Sequence, residues 1–334
     1  MNYRKLGASP LRVSQLCLGT MMFGDQTDER EAANIVASAR EQQINFVDTA
    51  DVYSQGACER ILGPLLKPDR DRWILASKIG NAMGATPNRS RYSRHWIMTG
   101  VNGSLTRLGS DYLDILYLHR DFEDDALDEP LRAIDDLIRT GKLRAWGVSN
   151  FRGWRIAEAV RLADSIGMPR PAVSQPYYNL LNRLPEVEVL PACANYGLGV
   201  VPYSPIARGV LSGKYQPQAQ PPAGSRMARG DKRIAQTEFR SESLQVAQKL
   251  QAHCQAKGAE LIHFAVAWVL ANRTVSSVIA GPKTLAQWQQ YFGALNYDWT
   301  VQDEELVNSL VPIGHPSTPG FSDPSYPVLG RKIA

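Results

Sequence analysis

Four residues in the first 120 positions could together move a proton: Asp48, Tyr53, Lys78 and His119. A phenol with a free pKa of about 10 is a poor acid–base group at neutral pH. It becomes useful where a neighbouring cation or imidazole stabilises its ionised form. Lys78 is a cation that lowers the phenol's pKa, and Asp48 a carboxylate that pairs with that lysine and fixes its position. His119 is an imidazole that hydrogen-bonds a carbonyl oxygen or relays a proton. A phenol so equipped protonates a developing alkoxide, which suits hydride addition to an aldehyde or ketone. Taken singly, each residue has an ordinary reading: a structural lysine, a helix-capping aspartate, a core histidine, an amphipathic surface tyrosine. Four complementary types outweigh those readings only if the fold sets them at equivalent positions.

The pattern around them predicts such a fold. Residues 44–48 are a short apolar run with β-branched and aromatic content, the signature of a buried strand, and the chain turns polar at Asp48 and Tyr53. Residues 3–6 and 11–13, separated by Gly7-Ala8-Ser9-Pro10, predict a hairpin, and residues 16–19 a first strand. Asp28 caps a helical stretch over 30–42. Helix and strand then alternate: strands at 73–78, 113–119, 143–148, 172–174, 199–203 and 276–279, helices at 56–66, 96–108, 127–138, 154–163, 187–195, 244–257, 261–271 and 284–292. Eight such units in about 280 residues suit a closed (β/α)8 barrel, with a doubly wound parallel sheet as the alternative. Strand two then ends at Asp48, strand three at Lys78 and strand four at His119, all at the rim where such barrels collect functional groups. The expectation is one α/β domain over residues 1–334, a (β/α)8 TIM barrel with an N-terminal β-hairpin. Residues 206–238 form a long loop after strand seven, and 314–334 a proline-rich irregular tail.

Composition narrows the partners. The 334 residues are 44% hydrophobic and 21% charged, an ordinary globular balance, and the net charge of +4 is spread along the chain. Even the densest basic run, Arg89 to His95, reads as a solvated loop, so nothing asks for nucleic acid. No run approaches the roughly 20 apolar residues of a membrane span. The four cysteines, Cys17, Cys58, Cys193 and Cys254, are isolated, with no CxxC pair and no secretory leader ahead of them, as in a reduced cytoplasmic protein. The sequence leaves room for a homo-oligomer and implies no metal.

Four runs bring a family into view: Phe46-Val47-Asp48-Thr49-Ala50 with Tyr53, Ala76-Ser77-Lys78, Tyr117-Leu118-His119-Arg120, and Gly147-Val148-Ser149-Asn150-Phe151. With them the chain closely resembles the aldo-keto reductase superfamily, in particular the branch of the potassium-channel β-subunits and bacterial aldo-keto reductases. The resemblance implies a (β/α)8 barrel with Tyr53 as proton donor and Asp48, Lys78 and His119 completing a tetrad. It implies NADPH (NADP+), held without a Rossmann GxGxxG, and a small aldehyde or ketone as substrate. Ser149, Asn150 and Gln175 match the positions that bind the carboxamide, and Tyr203 the aromatic that stacks on the nicotinamide. Gly19, Thr20, Met21 and Asp48 also fall among the cofactor positions. Ser204, Pro205, Ile206, Ala207 and Arg208, with Lys214 and Arg226, match the pyrophosphate clasp. Gly281, Lys283 and Gln287 match the 2′-phosphate and adenine positions, where Lys283 favours NADPH over NADH. Gln290 and Tyr291 stand where the family commonly has a Glu-Asn pair, and both are expected to contact adenine, Tyr291 by stacking. The carbonyl pocket is expected from Met22, Phe23, the loop 81–95, residues 121–125 and the tail. Two other functions compete: a cofactor-binding regulatory subunit like the channel β-subunits, which tend to vary at the His119 position, and a barrel lyase using Lys78 as a Schiff-base nucleophile.

Overall fold

The alternation of strand and helix resolves into a ring. In the computed structural model of the chain, which describes residues 1–328, a hairpin of β1 (Tyr3–Lys5) and β2 (Arg12–Ser14) precedes eight parallel strands. These are β3 (Leu16–Gly19), β4 (Phe46–Asp48), β5 (Ile74–Ile79), β6 (Leu113–Leu118), β7 (Leu143–Ser149), β8 (Val173–Gln175), β9 (Gly199–Val200) and β10 (Val278–Ala280). β10 pairs with β3, while the Ser276 N–H donates to the Val200 carbonyl at 2.8 Å and the Ile279 N–H to the Pro202 carbonyl at 3.0 Å. The last strand therefore meets both the first and the seventh, and the ring closes. The fold is a (β/α)8 barrel and not a doubly wound sheet.

Parallel strands covered on both faces need continuous apolar runs, and Leu113–Leu118 supplies one in which every residue is buried. Cys17, Phe46, Ala76, Ile115, Tyr117, Val173, Val201 and Ile279 form a single core cluster, and Leu6 and Val13 of the hairpin segment belong to it. The hairpin thus plugs the ring, each buried aliphatic contributing about 1.5–3 kcal/mol. The approach is so close that a Cβ on Gly7, whose φ is +60°, would lie 2.3 Å from the backbone of Gly197 and Gly199.

The chain divides into two compact units. The first, Met1–Pro176, Glu188–Tyr203 and Arg273–Gln289, holds the hairpin and all eight strands. Within it lie α1 (Glu29–Glu41), α2 (Ala57–Leu66), α3 (Arg94–Leu108), α4 (Asp128–Arg139), α5 (Gly153–Ile166) and α6 (Val189–Tyr196). Asp28 caps α1 as expected, its Oδ1 accepting the Glu31 N–H at 2.8 Å. The second unit, Tyr177–Val187, Ser204–Asn272 and the chain from Gln290, contains α7 (Lys232–Gln236), α8 (Ser241–Ala256) and α9 (Leu261–Ala271). α10 (Leu285–Gln290) follows β10, and α11 (Val301–Leu310) closes the series. α9 is apolar all round and nearly all of it is buried.

α11 lies beyond the helices expected from the sequence. Its start was signalled by Thr300 and Asp303, which form a reciprocal capping box. Asp303 also takes the Lys257 ammonium on both oxygens at 2.8 Å, tying α11 to α8. The long segment 206–238 is not wholly a loop: it contains a 3-10 run, Ala207–Ser212, and α7. Residues 314–328 of the tail carry no helix and no strand beyond one bridge between Asn182 and Pro316, and 329–334 lie outside the described residues. Among the described residues no helix is long and apolar enough to cross a membrane.

Candidate active site

Strand ends and one strained turn assemble the four proton-moving groups. Asp48 ends β4, Lys78 is the penultimate residue of β5, and His119 follows β6 directly, its N–H donating to the Ile79 carbonyl at 2.9 Å. Tyr53 opens the turn Tyr53–Gly56, where Ser54, Gln55 and Gly56 have φ of 47°, 53° and 81°. Left-handed backbone at the two non-glycine positions costs about 1–3 kcal/mol each and is held by its surroundings. The Ser54 hydroxyl donates to the Phe23 carbonyl at 3.1 Å. At Gly56 a Cβ would meet the Arg107 side chain at 2.8 Å.

The Lys78 ammonium has three protons and three acceptors: an Asp48 carboxylate oxygen, the Thr49 carbonyl at 2.8 Å and the Tyr53 oxygen at 3.1 Å. The other Asp48 oxygen accepts from the Gln175 amide at 2.9 Å. Burial works against the Lys78 charge, but Asp48 and Tyr53 outweigh it and hold the lysine above its ordinary pKa. Burial pushes the Asp48 carboxyl the other way, upward, while Lys78 and Gln175 pull it back. With both carboxylate oxygens accepting and all three ammonium protons placed, the pair is an ion pair. A lysine held charged in this way has no lone pair to offer a carbonyl, which weighs against the Schiff-base reading.

Tyr53 departs from one expectation. Its pKa lies above the ordinary phenol value, because burial raises it by more than Lys78 lowers it. The phenol therefore keeps its proton at neutral pH. Since its oxygen accepts from Lys78, its own hydrogen is left to donate elsewhere. The His119 ring stands edge-on to Tyr53 with centroids 6.1 Å apart. Burial first, then the charges of Lys78 and Arg120, push the imidazole well below its usual pKa, so it is neutral. Its Nδ1 is buried without a hydrogen-bond partner among the described residues.

A second cluster sits at the ends of β7 and β8. The Ser149 hydroxyl donates to the Gln175 carbonyl at 2.9 Å, and the Asn150 amide donates to Ser149 Oγ and the His119 carbonyl, each at 3.0 Å. The Tyr203 hydroxyl donates to Asn150 Oδ1 at 2.8 Å. Asn150 has φ +59°, a conformation asparagine tolerates. Hydroxyl and amide groups of the kinds that can hydrogen-bond a primary carboxamide are gathered here, satisfying one another in this structure. Thr20 is buried with its hydroxyl on the Asp48 carbonyl, Met21 is 39% exposed, and Gly19 and Gly281 are close neighbours. The Lys283 backbone is fixed at both ends, its N–H donating to Gln287 Oε1 at 2.9 Å and its carbonyl accepting from Thr27 at 2.8 Å. Its ammonium makes no ion pair among the described residues.

In the second unit, Ser204, Ala207 and Arg208 have φ of 57°, 49° and 51°, a strained run of non-glycine residues around Pro205 and Ile206. Arg208 is ion-paired with buried Glu238 at 3.0 Å and Arg226 with Asp231 at 3.0 Å. Lys214 and Gln290 are exposed, whereas Tyr291 is buried. Phe23, expected in the carbonyl pocket, is fully buried in the core.

The Gln175 amide nitrogen also serves Asp48, a contact the sequence did not signal. Buried Asp51 and Glu59, with Arg107 whose side chain is 18% exposed, form a charged group near Lys78, and no local motif announced it.

Comparison with known proteins identifies the family. The Aldo/keto reductase family matches residues 15–311. Similar proteins include a probable voltage-gated potassium channel subunit beta of Oryza sativa subsp. japonica, 37% identical over 287 residues, covering 84% of this chain and 87% of the relative. Another of that description, from Arabidopsis thaliana, is 35% identical over 301 residues, 89% and 92% of the two chains. An uncharacterized oxidoreductase of Bacillus subtilis is 34% identical over 323 residues, 93% and 96%.

Proposed function

The chain belongs to the Aldo/keto reductase family, and from that premise we propose that it reduces aldehydes or ketones to alcohols with NADPH. The observation that carries the reading is the Lys78 ammonium donating to the Tyr53 oxygen at 3.1 Å, which leaves the phenolic hydrogen as the donor. Tyr53 Oη passes that proton to the carbonyl oxygen as negative charge develops there. Lys78 stabilises the phenolate left behind, and Asp48 keeps Lys78 charged and in place. His119, being neutral, offers a hydrogen bond to the carbonyl oxygen without competing as the acid.

Ser149, Asn150 and Gln175 would hold the carboxamide and Tyr203 one face of the ring; bound there, the nicotinamide supplies the hydride. Lys283 would take the 2′-phosphate, with Gln287 and Gly281 beside it. The pyrophosphate role of Ser204–Arg208, Lys214 and Arg226, and an adenine contact from Gln290, rest on the family resemblance. Four buried free cysteines support a cytoplasmic setting. The channel-subunit relatives give the second reading, a cofactor-binding regulatory subunit, and steady-state turnover of an aldehyde panel separates the two.

Tyr53→Phe tests the mechanism. It should keep the fold and NADPH affinity and lower single-turnover aldehyde reduction by about 10²–10⁴-fold, the usual worth of a positioned acid. A wild-type single-turnover rate in Tyr53→Phe removes Tyr53 as the acid and the mechanism with it.

A further inference from the structure

Between Asp48 and Tyr53 the chain carries another carboxylate, Asp51, to which the tetrad assigns nothing. It is 1% exposed, and neither of its oxygens has a side-chain partner among the described residues, the Val52 N–H being the one group near enough to favour its charge by hydrogen bonding. Its own N–H donates to the Lys78 carbonyl at 3.2 Å, so the backbone fixes it against the residue that serves Tyr53. The charges around it are already matched. Asp48 is paired with Lys78. Glu59 of α2, fully buried, takes Arg107 of α3 on one oxygen and the Ser77 hydroxyl of β5 on the other, both at 2.7 Å. With two cations and two carboxylates balanced, an ionised Asp51 is the uncompensated charge of the group.

We infer that Asp51 is a positioning residue of this site, a buried carboxyl whose ionisation opposes proton release from Tyr53 and gives carbonyl reduction a pH limb of its own. Burial, then the Glu59 carboxylate, raise Asp51 to about 7, with the Val52 N–H first and then Arg107 and Lys78 opposing them. Below that pH the carboxyl is neutral and the Lys78 charge is shared by Asp48 and Tyr53 alone. Above it, the added negative charge competes for the same ammonium just as reduction requires a phenolate beside it. Reduction should then slow by about three- to tenfold as pH rises through about 7, the size of a nearby charge at intermediate dielectric. The inference rests on the reductase reading of Tyr53.

The test is Asp51→Asn, close in shape and without the charge, compared with wild type in three measurements. Single-turnover reduction against pH should lose the limb near 7 and keep the faster, low-pH rate until Tyr53 itself titrates. Infrared titration of the protein without cofactor should show a protonated carboxyl band that disappears near pH 7 in wild type and is missing from the variant. Unfolding of the same cofactor-free protein should show wild type losing stability as pH rises from about 4 to about 7, where the folded state alone holds the proton, and the variant losing less. If Asp51→Asn does not fold, Glu59→Gln carries the test, since removing the like charge should move the infrared midpoint and the reduction limb to lower pH. An unchanged limb in Asp51→Asn, or no carboxyl titrating near 7 in wild type, overturns the inference. A carboxyl that titrates as expected in a protein that reduces no carbonyl overturns the reductase reading, and the kinetic role of Asp51 falls with it.

Discussion

Lys78→Met separates the two tasks of the buried ammonium, holding charge in the core and serving the phenol. The Lys78 side chain is 0% exposed and that of Asp48 4%. Removing the cation leaves a buried carboxylate with the Gln175 amide as its remaining side-chain donor. Breaking a buried pair from one side costs about 3–5 kcal/mol, because an uncompensated charge stays behind. Tyr53→Phe removes one hydrogen bond whose donor keeps two other acceptors, so its cost is about 0.5–1.5 kcal/mol. Against a total of about 5–15 kcal/mol, Lys78→Met remains folded but clearly weakened. Urea unfolding at pH 7 should therefore rank wild type, Tyr53→Phe and Lys78→Met in falling order. Asp48→Asn combined with Lys78→Met should recover much of the loss, since it removes the orphaned charge. The pH dependence has a definite sign. Without Lys78 the folded-state pKa of Asp48 rises further, so the deficit relative to wild type shrinks at acid pH, where the carboxyl is protonated in both states, and grows toward neutrality. Single-turnover reduction should fall in Lys78→Met about as far as in Tyr53→Phe, and the losses should not add in the double variant, because the lysine acts through the phenol. Equal unfolding midpoints for Lys78→Met and wild type, or no recovery on adding Asp48→Asn, would refute the ion-pair account of the site.

Two further expectations concern the cofactor. Lys283→Glu should weaken NADPH by roughly one to two decades while barely moving NADH, a charge-assisted contact being worth about 1.5–3 kcal/mol; fluorescence titrations giving equal losses for both cofactors would dismiss the 2′-phosphate role. Saturating NADPH should slow tryptic cleavage at Lys214, Arg226 and Arg229, and cleavage indifferent to NADPH would make residues 206–238 an ordinary surface segment.

The barrel was legible because its signal is local and repeated. Apolar runs such as Ile44 to Val47, alternating with helical stretches, mark βαβ units wherever they occur. Closure was not legible, since it depends on the Ser276 and Ile279 amides reaching Val200 and Pro202 across more than seventy residues. α11 could have been found from its Thr300-x-x-Asp303 box, but the polarity of its sequence hid it among the surface segments. The strand ends that carry Asp48, Lys78 and His119 were readable for the same reason as the strands. Each lies at or near the end of a mostly apolar run.

The electrostatic state of the site was less readable, and the reason is physical. A sequence shows that Lys78 and Tyr53 are of suitable types, and the attraction between them can be anticipated from type alone. It does not show how much water each group loses, and at Tyr53 that loss outweighs the lysine and reverses the net direction. The same holds for Asp51, which looks in sequence like one more acid in a polar turn. It becomes an uncompensated charge only because Glu59 and Arg107, 48 residues apart, satisfy one another beside it. Burial converts residue type into protonation state, and burial belongs to the whole fold. A proton donor kept neutral by burial, next to a cation that stabilises it once ionised, is suited to reduction, because it resists losing its proton to water and gives it up where a carbonyl oxygen is turning negative.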